Sequence, residues 1–360
     1  MNHKPSGKGK AVKIILICVA VALLLAVIAG IIYYVSMVNK MKHVDVPEIQ
    51  YTEAPTEAPT EAPVETTEAT TVATEPPHIP SSEDYINILL VGQAARYGET
   101  ERFADTMILC TLNTYEKTLT LTSILRDTLI GNSGPYKNHY WGNIKITTVY
   151  HLGYMWGETA GSMACMNQTL YDNFGIEVDH NFEVDFDAFA TAINLLGGVE
   201  LELTQAEADY LNADDVWVRY DVEPGLQKLD GMAALCYARM RKAEGDGESD
   251  IKRTSRQRYL MTVLLDKVKD MSPKKLQKMA DKVLPYITTS MDTAELTELL
   301  LKVLPMLPEL KIEASGTCPA EYSGSIVDIY EDGIPDSVLK FVPITTKKTM
   351  RAITEGEIAE

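Results

Sequence analysis

INILLVG at 86–92, TMILCTL at 106–112 and TLTLTSI at 118–124 are the stretches on which the fold turns. Each is an apolar, β-rich run too short for a globular helix; Gly92 closes the first, and the polar link 113–117 joins the other two. They predict a hairpin in a mixed sheet with the first run beside it. Arg96, Asp105, Arg126 and Asp127 then fall near strand ends, where a rigid scaffold holds them.

Beyond these runs the period changes. Helical patterns cover 147–155, 161–173 and 187–196. The last aligns Phe189, Ile193 and Leu196 and stops at Gly197-Gly198, before an extended pattern at 199–203. This alternation predicts an α/β sandwich. A short helix at 232–237 and a polar, Gly-containing loop at 243–249 precede a helix over 253–270. At 100° per residue, Leu260, Met261, Leu264, Leu265 and Val268 share one sector of it; Arg253 and Gln257 extend that inward face, and Arg258 points largely elsewhere. An isolated charge on that face is costly without an anionic partner. Further helices are expected at 273–284, 293–304 and 335–341, extended pieces at 310–312 and 325–330, and a loosely held tail at 346–360.

Upstream, Lys4, Lys8, Lys10 and Lys13 run into an uncharged stretch, 14–36, dominated by Ile, Leu, Val and Ala. At 1.5 Å per residue its apolar part reaches about 33 Å, enough for a bilayer core. It reads as a transmembrane helix with a cytoplasmic N-terminus (1–13), since only Lys40 and Lys42 follow closely, and with the rest of the chain outside. Residues 37–82, with three Thr-Glu-Ala-Pro units and glutamates at 48, 53, 57, 61, 65, 68 and 75, are expected to be an extended, disordered stalk. The external domain then divides into a main body at 83–290 and a helical and strand extension of the same domain at 291–345.

The formal charge of −18 gives no general reason to bind nucleic acid. Of the five cysteines, Cys18 lies in the expected span, and Cys110 and Cys236 read as small buried hydrophobes. Cys165 and Cys318 are a candidate pair in an oxidising exterior, and no spacing resembles a Cys-based zinc site.

Two basic stretches stand out in so acidic a chain: Arg126 with Asp127, and Arg239, Arg241, Arg253 and Arg256 around Asp250. The planar guanidinium fork suits phosphate oxygens, and a helix N-terminus near Arg253 adds favourable partial charge. A pyrophosphate clamp and a structural network of arginine–carboxylate pairs are both consistent with these residues. There is no P-loop lysine, HExxH, GxSxG or kinase set.

Ordered matches make a family resemblance specific: NILLVG at 87–92, ADTM at 104–107, SILRDT at 123–128, KIT at 145–147, LLGGVE at 195–200, LDGMAALCYARMRK at 229–242 and DIKRTSRQ at 250–257. In these the chain resembles the LytR-CpsA-Psr family of bacterial cell-wall glycopolymer ligases, over residues 84–271 and with the usual membrane anchor before them. The resemblance implies a three-layer α/β/α sandwich with a mixed central sheet. It also implies a single-pass bacterial membrane protein that moves a glycopolymer from an undecaprenyl-pyrophosphate-linked donor to a peptidoglycan hydroxyl, with Mg²⁺ as cofactor. On that basis Asp105 is the metal ligand, Arg126 the phosphate clamp, and Arg239 and Arg241 reach the same groups. Asp127, Asp250, Arg253 and Gln257 orient the clamp or acceptor, Arg256 and Lys145 belong to the substrate-binding set, and Arg96 matches the arginine of an early Gly-x-Asp-x-Arg pattern.

The chain departs from the family pattern at Ala94, where an aspartate is usual, at Leu125 for proline and at Thr147 for asparagine. Loss of one carboxylate weakens a Mg²⁺ site while sparing phosphate binding. Two other functions stand beside the ligase: a lipid-pyrophosphate-binding scaffold of wall assembly, which Ala94 motivates, and a pyrophosphatase that uses nearly the same clamp on the same lipid with water as acceptor.

Overall fold

The computed structural model describes residues 36–47, 82–93, 102–130, 144–213, 220–241, 250–329, 334–341 and 343–355. Its centre is a seven-stranded mixed sheet. The strands are β1 (Lys42–His43), β2 (Tyr85–Gln93), β3 (Ala104–Asn113), β4 (Thr118–Ile124), β7 (His180–Val184), β10 (Ile287–Thr289) and β11 (Lys311–Cys318), in the order β1-β10-β7-β2-β3-β4-β11; β5 (Leu129–Ile130) and β6 (Ile144–Lys145) pair antiparallel apart from it. β2–β3 and β3–β4 are antiparallel, whereas β2–β7 and β4–β11 are parallel. The expected hairpin is β3–β4, and the first run, β2, lies beside it as the central strand of the sheet. The hairpin turn is closed by Asn113 Oδ1, which accepts from the N–H groups of Tyr115 and Glu116 at 3.0 and 2.8 Å.

Strand alternation splits the core into two layers. Leu89, Val91, Met107, Leu109 and Ile124 face one side and pack with Tyr150, Met166, Leu170 and Phe174 of helix α1 (Ile146–Phe174). Ile108, Cys110 and Leu121, with Ile88 and Leu90, face the other side and meet Met261 and Leu265 of helix α5 (Asp250–Lys269). The arrangement is an α/β/α sandwich. α1 is two arms broken at Gly157 and Glu158, as the separate patterns at 147–155 and 161–173 predict. Gly153 and Gly161 let the arms touch: a Cβ at Gly153 would lie 2.5 Å from the Gly161 carbonyl oxygen.

A second core lies on the α5 side. Helix α2 (Phe186–Leu195) is capped by Asp185, which accepts from Ala188 N–H, and helix α4 (Gly231–Arg239) by Asp230, which accepts from Ala233 N–H. Gly231 has no room for a Cβ, which would strike the Ala190 carbonyl, so α2 and α4 pack in close contact. β8 (Val199–Leu203) runs where an extended stretch is expected, but it pairs with β9 (Gly225–Leu229) in a separate two-stranded sheet. Helix α3 (Gln205–Asn212) follows β8. Helices α6 (Pro273–Val283) and α7 (Thr293–Met306) and strand β11 extend the same fold.

Five expectations are corrected. The stretch expected as a helix at 335–341 lies within strand β13 (Ile334–Phe341), paired antiparallel to β12 (Tyr322–Ile329). The tail expected at 346–360 is instead, through residue 354, helix α8 (Pro343–Thr354), which buries Met350 against the α1 core. Arg258 is 8% exposed and donates to Ser123 Oγ at 2.7 Å, because α5 is covered on more than one side. Cys165 and Cys318 share the α1-side core as buried, unbridged thiols. The stalk expected from 37 has its first residues, to 47, fixed on the domain through β1. The remainder of that stalk and nearly all of the expected span at 14–36 lie outside the described residues. Among the described residues no helix is long and apolar enough to cross a membrane.

Candidate anion site at the sheet ends

β3 begins at Ala104 and β4 ends at Ile124, so Asp105 and Arg126 meet at one end of the hairpin. Arg126 Nη1 donates to Asp105 Oδ1 at 2.5 Å, and its Nε stands 3.6 Å from Asp127 Oδ2 and 3.5 Å from Asp250 Oδ1. Asp250 opens α5 and holds Arg253 Nη2 at 2.5 Å, one turn along; the same nitrogen donates to the Asp105 carbonyl at 3.2 Å. Lys145 Nζ lies 3.4 Å from the other oxygen of Asp127. Asp105, Arg126, Asp127, Lys145, Asp250 and Arg253 therefore form one contiguous cluster.

Burial governs its electrostatics. It lowers the Arg126 pKa, but Asp127, Asp105 and Asp250 outweigh it and leave the group raised. Burial pushes Arg253 down to about 10 against the pull of Asp250, and pushes Asp250 up despite Arg253 and Arg126. Arg241, exposed just after α4, acts on both Asp250 and Arg253 through its field. Buried Arg126 Nε, Arg253 Nε and Asp250 Oδ2 find no hydrogen-bond partner among the described residues. The cluster thus holds polar capacity that protein groups leave unused.

Beside it lies a cavity of about 140 Å³ between the sheet and helices α2, α4 and α5, walled by Leu90, Ile108, Phe189, Leu235, Leu260 and Leu264. Gln257 and Thr106 line both regions: Gln257 Nε2 donates to Thr106 Oγ1 at 2.9 Å, and Thr106 follows Asp105. Arg239 also lines the cavity, its guanidinium 4.3 Å above the Phe186 ring. Arg256 is not brought to the cluster. It is 6% exposed and turned to Glu207 Oε1 (2.6 Å) and the Met240 carbonyl (3.1 Å), as a buried structural pair. Arg96 and Ala94 lie outside the described residues.

Arg102 escapes the sequence reading. It donates to Gln93 Oε1 at 2.9 Å, stacks over Tyr154 at 4.4 Å and lies 4.0 Å from Glu183, which accepts from Tyr150 OH at 2.6 Å. Its position three residues before Asp105 was the available signal. Among the described residues no three His, Cys, Asp or Glu side chains are grouped to hold a metal ion. Asp105 and Asp127 supply hard carboxylate oxygens on either side of Arg126, a set that suits Mg²⁺ as an ion completed by ligand phosphates and water.

Fold and site together define an α/β/α sandwich protein with a guanidinium–carboxylate cluster beside an apolar cavity. The chain belongs to the LytR_cpsA_psr family, whose model matches residues 49–318. It is 30% identical over 193 residues to Biofilm regulatory protein A of Streptococcus mutans, covering 52% of this chain and 45% of that protein. It is likewise 30% identical over 190 residues to the polyisoprenyl-teichoic acid–peptidoglycan teichoic acid transferase TagU of Oceanobacillus iheyensis, covering 53% of each. The chain thus spans about half the length of these curated relatives. Its fold is similar to that of TagT bound to LIIa-WTA, with a TM-score of 0.57 and 23% identity over 76% of this chain and 90% of that one. Protein gbs0355 from Streptococcus agalactiae gives 0.60 and 23%, over 76% and 88%.

Proposed function

We propose that the protein attaches a glycopolymer from a polyprenyl-pyrophosphate-linked donor to a peptidoglycan sugar hydroxyl at the outer face of a bacterial membrane. The observation that carries this reading is the shared wall formed by Gln257 and Thr106, which sets an apolar cavity against a cluster of arginines. A lipid pyrophosphate needs both: apolar surface for the first prenyl units, and guanidinium groups for the phosphates. The transferase TagU is named for an act of this class, on teichoic acid and peptidoglycan.

In this mechanism Arg126 and Arg253 exchange part of their carboxylate contact for phosphate oxygens. Arg239 and Arg241 approach from the end of α4. An acceptor hydroxyl attacks the polymer-proximal phosphorus, an O–P bond forms, and the bridging P–O bond breaks to release polyprenyl phosphate. The guanidinium groups offset charge gathering on that leaving group. Asp127 or Asp105, with side chains 24% and 25% exposed, takes the hydroxyl proton in this reading, Asp127 being the one left to do so when Asp105 holds the metal ion. When bound there, Mg²⁺ supplies polarisation of a phosphoryl oxygen.

The test is transfer by the full chain from a defined undecaprenyl-pyrophosphate glycan to nascent peptidoglycan, with and without Mg²⁺. Linked polymer is the expected product. Donor retained without product favours the scaffold reading, which draws on Ala94. Free sugar phosphate or inorganic phosphate favours the pyrophosphatase.

A further inference from the structure

Residues 36–47 leave no spacer between the expected span and the domain. Val38, 4% exposed, packs on Met291 and Leu296. β1 pairs in parallel with β10, and Val44 N–H donates to the Thr289 carbonyl at 3.0 Å. Thr293 Oγ1 donates to Asn39 at 2.9 Å, His43 Nδ1 lies 3.0 Å from the Met291 carbonyl, and Lys40 Nζ donates to Asp281 Oδ1 at 2.6 Å. The chain thus joins the domain within a few residues of position 36. The acidic repeat leaves from Pro47 and returns at Ser82, and so does not separate the span from the domain.

The partner of Lys40, Asp281, lines a groove of about 850 Å³ with an apolar floor of Leu195, Leu196, Met271 and Met279. Lys275, Lys278 and Lys282 border it. The sequence of α6, PKKLQKMADKV, sets four lysines, all exposed, against one aspartate that Lys40 already engages. Tyr286, 50% exposed, follows just before β10. In a chain of charge −18 such a face is a local exception.

We propose that this lysine-bordered face of α6 rests on anionic phospholipid headgroups, seating the domain directly against the bilayer that residues 14–36 are expected to cross. The inference rests on the single-span, external reading of the chain. Attraction of lysines to an anionic leaflet fades within a Debye length, about 8–10 Å. It operates only if the domain is held that close, which the docking of 36–47 provides. Lysine stems lie along apolar surface while their ammonium groups reach the headgroups, and an exposed tyrosine suits the same interface.

The test uses the full chain in vesicles of phosphatidylcholine, with and without phosphatidylglycerol. Amide exchange is followed at 273–283, and a fluorophore on Gln277→Cys reports quenching by nitroxide-headgroup lipid. Expected are several-fold slower exchange and strong quenching in the anionic vesicles, both lost at high salt and in K275E/K278E/K282E, with β3 exchange unchanged as the folding control. Equal protection in both vesicles overturns the proposal, and is the outcome if the chain's own acidic repeat fills the groove. An unquenched label on a chain that withstands alkaline washing overturns the proposal alone. A chain released by that wash overturns the single-span reading and this proposal together.

Discussion

Gln257 Nε2 donates to Thr106 Oγ1 at 2.9 Å and to the Ala238 carbonyl at 3.1 Å, so one amide nitrogen ties helix α5 to strand β3 and helix α4. Those three elements carry Arg253, Asp105 and Arg239. The register of the whole cluster therefore passes through a side chain that bears no charge.

Gln257→Glu is expected to harm the protein more than Gln257→Ala. The glutamate keeps the shape but turns a donor into an acceptor facing the Ala238 carbonyl, at about 1–3 kcal/mol for each buried group left unsatisfied. Alanine loses the two bonds and leaves a space. Urea midpoints should rank wild type above Ala and Ala above Glu, with transfer rates in the same order.

Arg126 faces three carboxylates, and its removal leaves Asp105, Asp127 and Asp250 to repel one another. Arg126→Ala should lower transfer about 10²–10³-fold, as expected for loss of one donor aimed at developing charge. Arg126→Lys keeps the charge but cannot reach several partners at once, and should recover only part of the rate. Single-turnover assays with labelled donor measure both, and full activity in R126A would remove this residue from the mechanism.

The sheet was legible because 86–92, 106–112 and 118–124 are short apolar runs whose lengths and links permit little but strands. The inward face of α5 was legible down to Arg253 and Gln257 because periodicity reports one face well. It misjudged Arg258, since a helix packed on more than one side has no free sector for a charge. The same limit hid the role of Arg256: the pattern groups it with the cluster, and Glu207, 49 residues away, claims it. Residues 346–354 were misassigned because what orders them, the α1 core, is distant in sequence, whereas 335–341 were misassigned because their strand state comes from antiparallel pairing with the adjacent β12, which helical periodicity does not report. The site drew its residues from β3, the β4 end, α4 and α5, a convergence that order and spacing along the chain matched only through family resemblance.

Arg256 and Glu207, with side chains 6% and 9% exposed, give a stability prediction distinct from the catalytic ones. Glu207→Ala strands a buried guanidinium and also removes the N3 partner of the Thr204 capping box. The loss should be about 3–5 kcal/mol, read from denaturant midpoints. Transfer per folded molecule should stay near the wild-type value, whereas a large drop would return Arg256 to the substrate-binding set.

Glu183 supplies a pH prediction. Burial raises its pKa above the ordinary 4.5 although Tyr150 OH donates to it and Arg102 lies near. Between 4.5 and the raised folded value the native state binds the extra proton, so unfolding free energy falls as pH rises through that window and the full penalty applies above it. Glu183→Gln accepts the Tyr150 hydroxyl without ionising. Relative to wild type it should gain stability as pH rises from 4 to 7, as read from urea midpoints at each pH. A constant difference would show that Glu183 does not titrate in that range.

Leu264→Trp tests the cavity apart from the cluster. Leu264 lines the 140 Å³ space on α5, and an indole there takes room needed by an apolar group without touching Asp105, Arg126 or Asp250. Each CH₂ excluded from the cavity forfeits about 0.8 kcal/mol, so displacing two or three of them weakens a prenyl donor by about fifteen- to sixtyfold. That contact is made equally in ground and transition states, so KM should rise while kcat holds. Inhibition by inorganic pyrophosphate, which engages the arginines alone, should not change. If L264W left KM for the prenyl donor unaltered in a variant of normal stability, the lipid would have to lie elsewhere, and the shared wall of Gln257 and Thr106 would lose its role in positioning the donor.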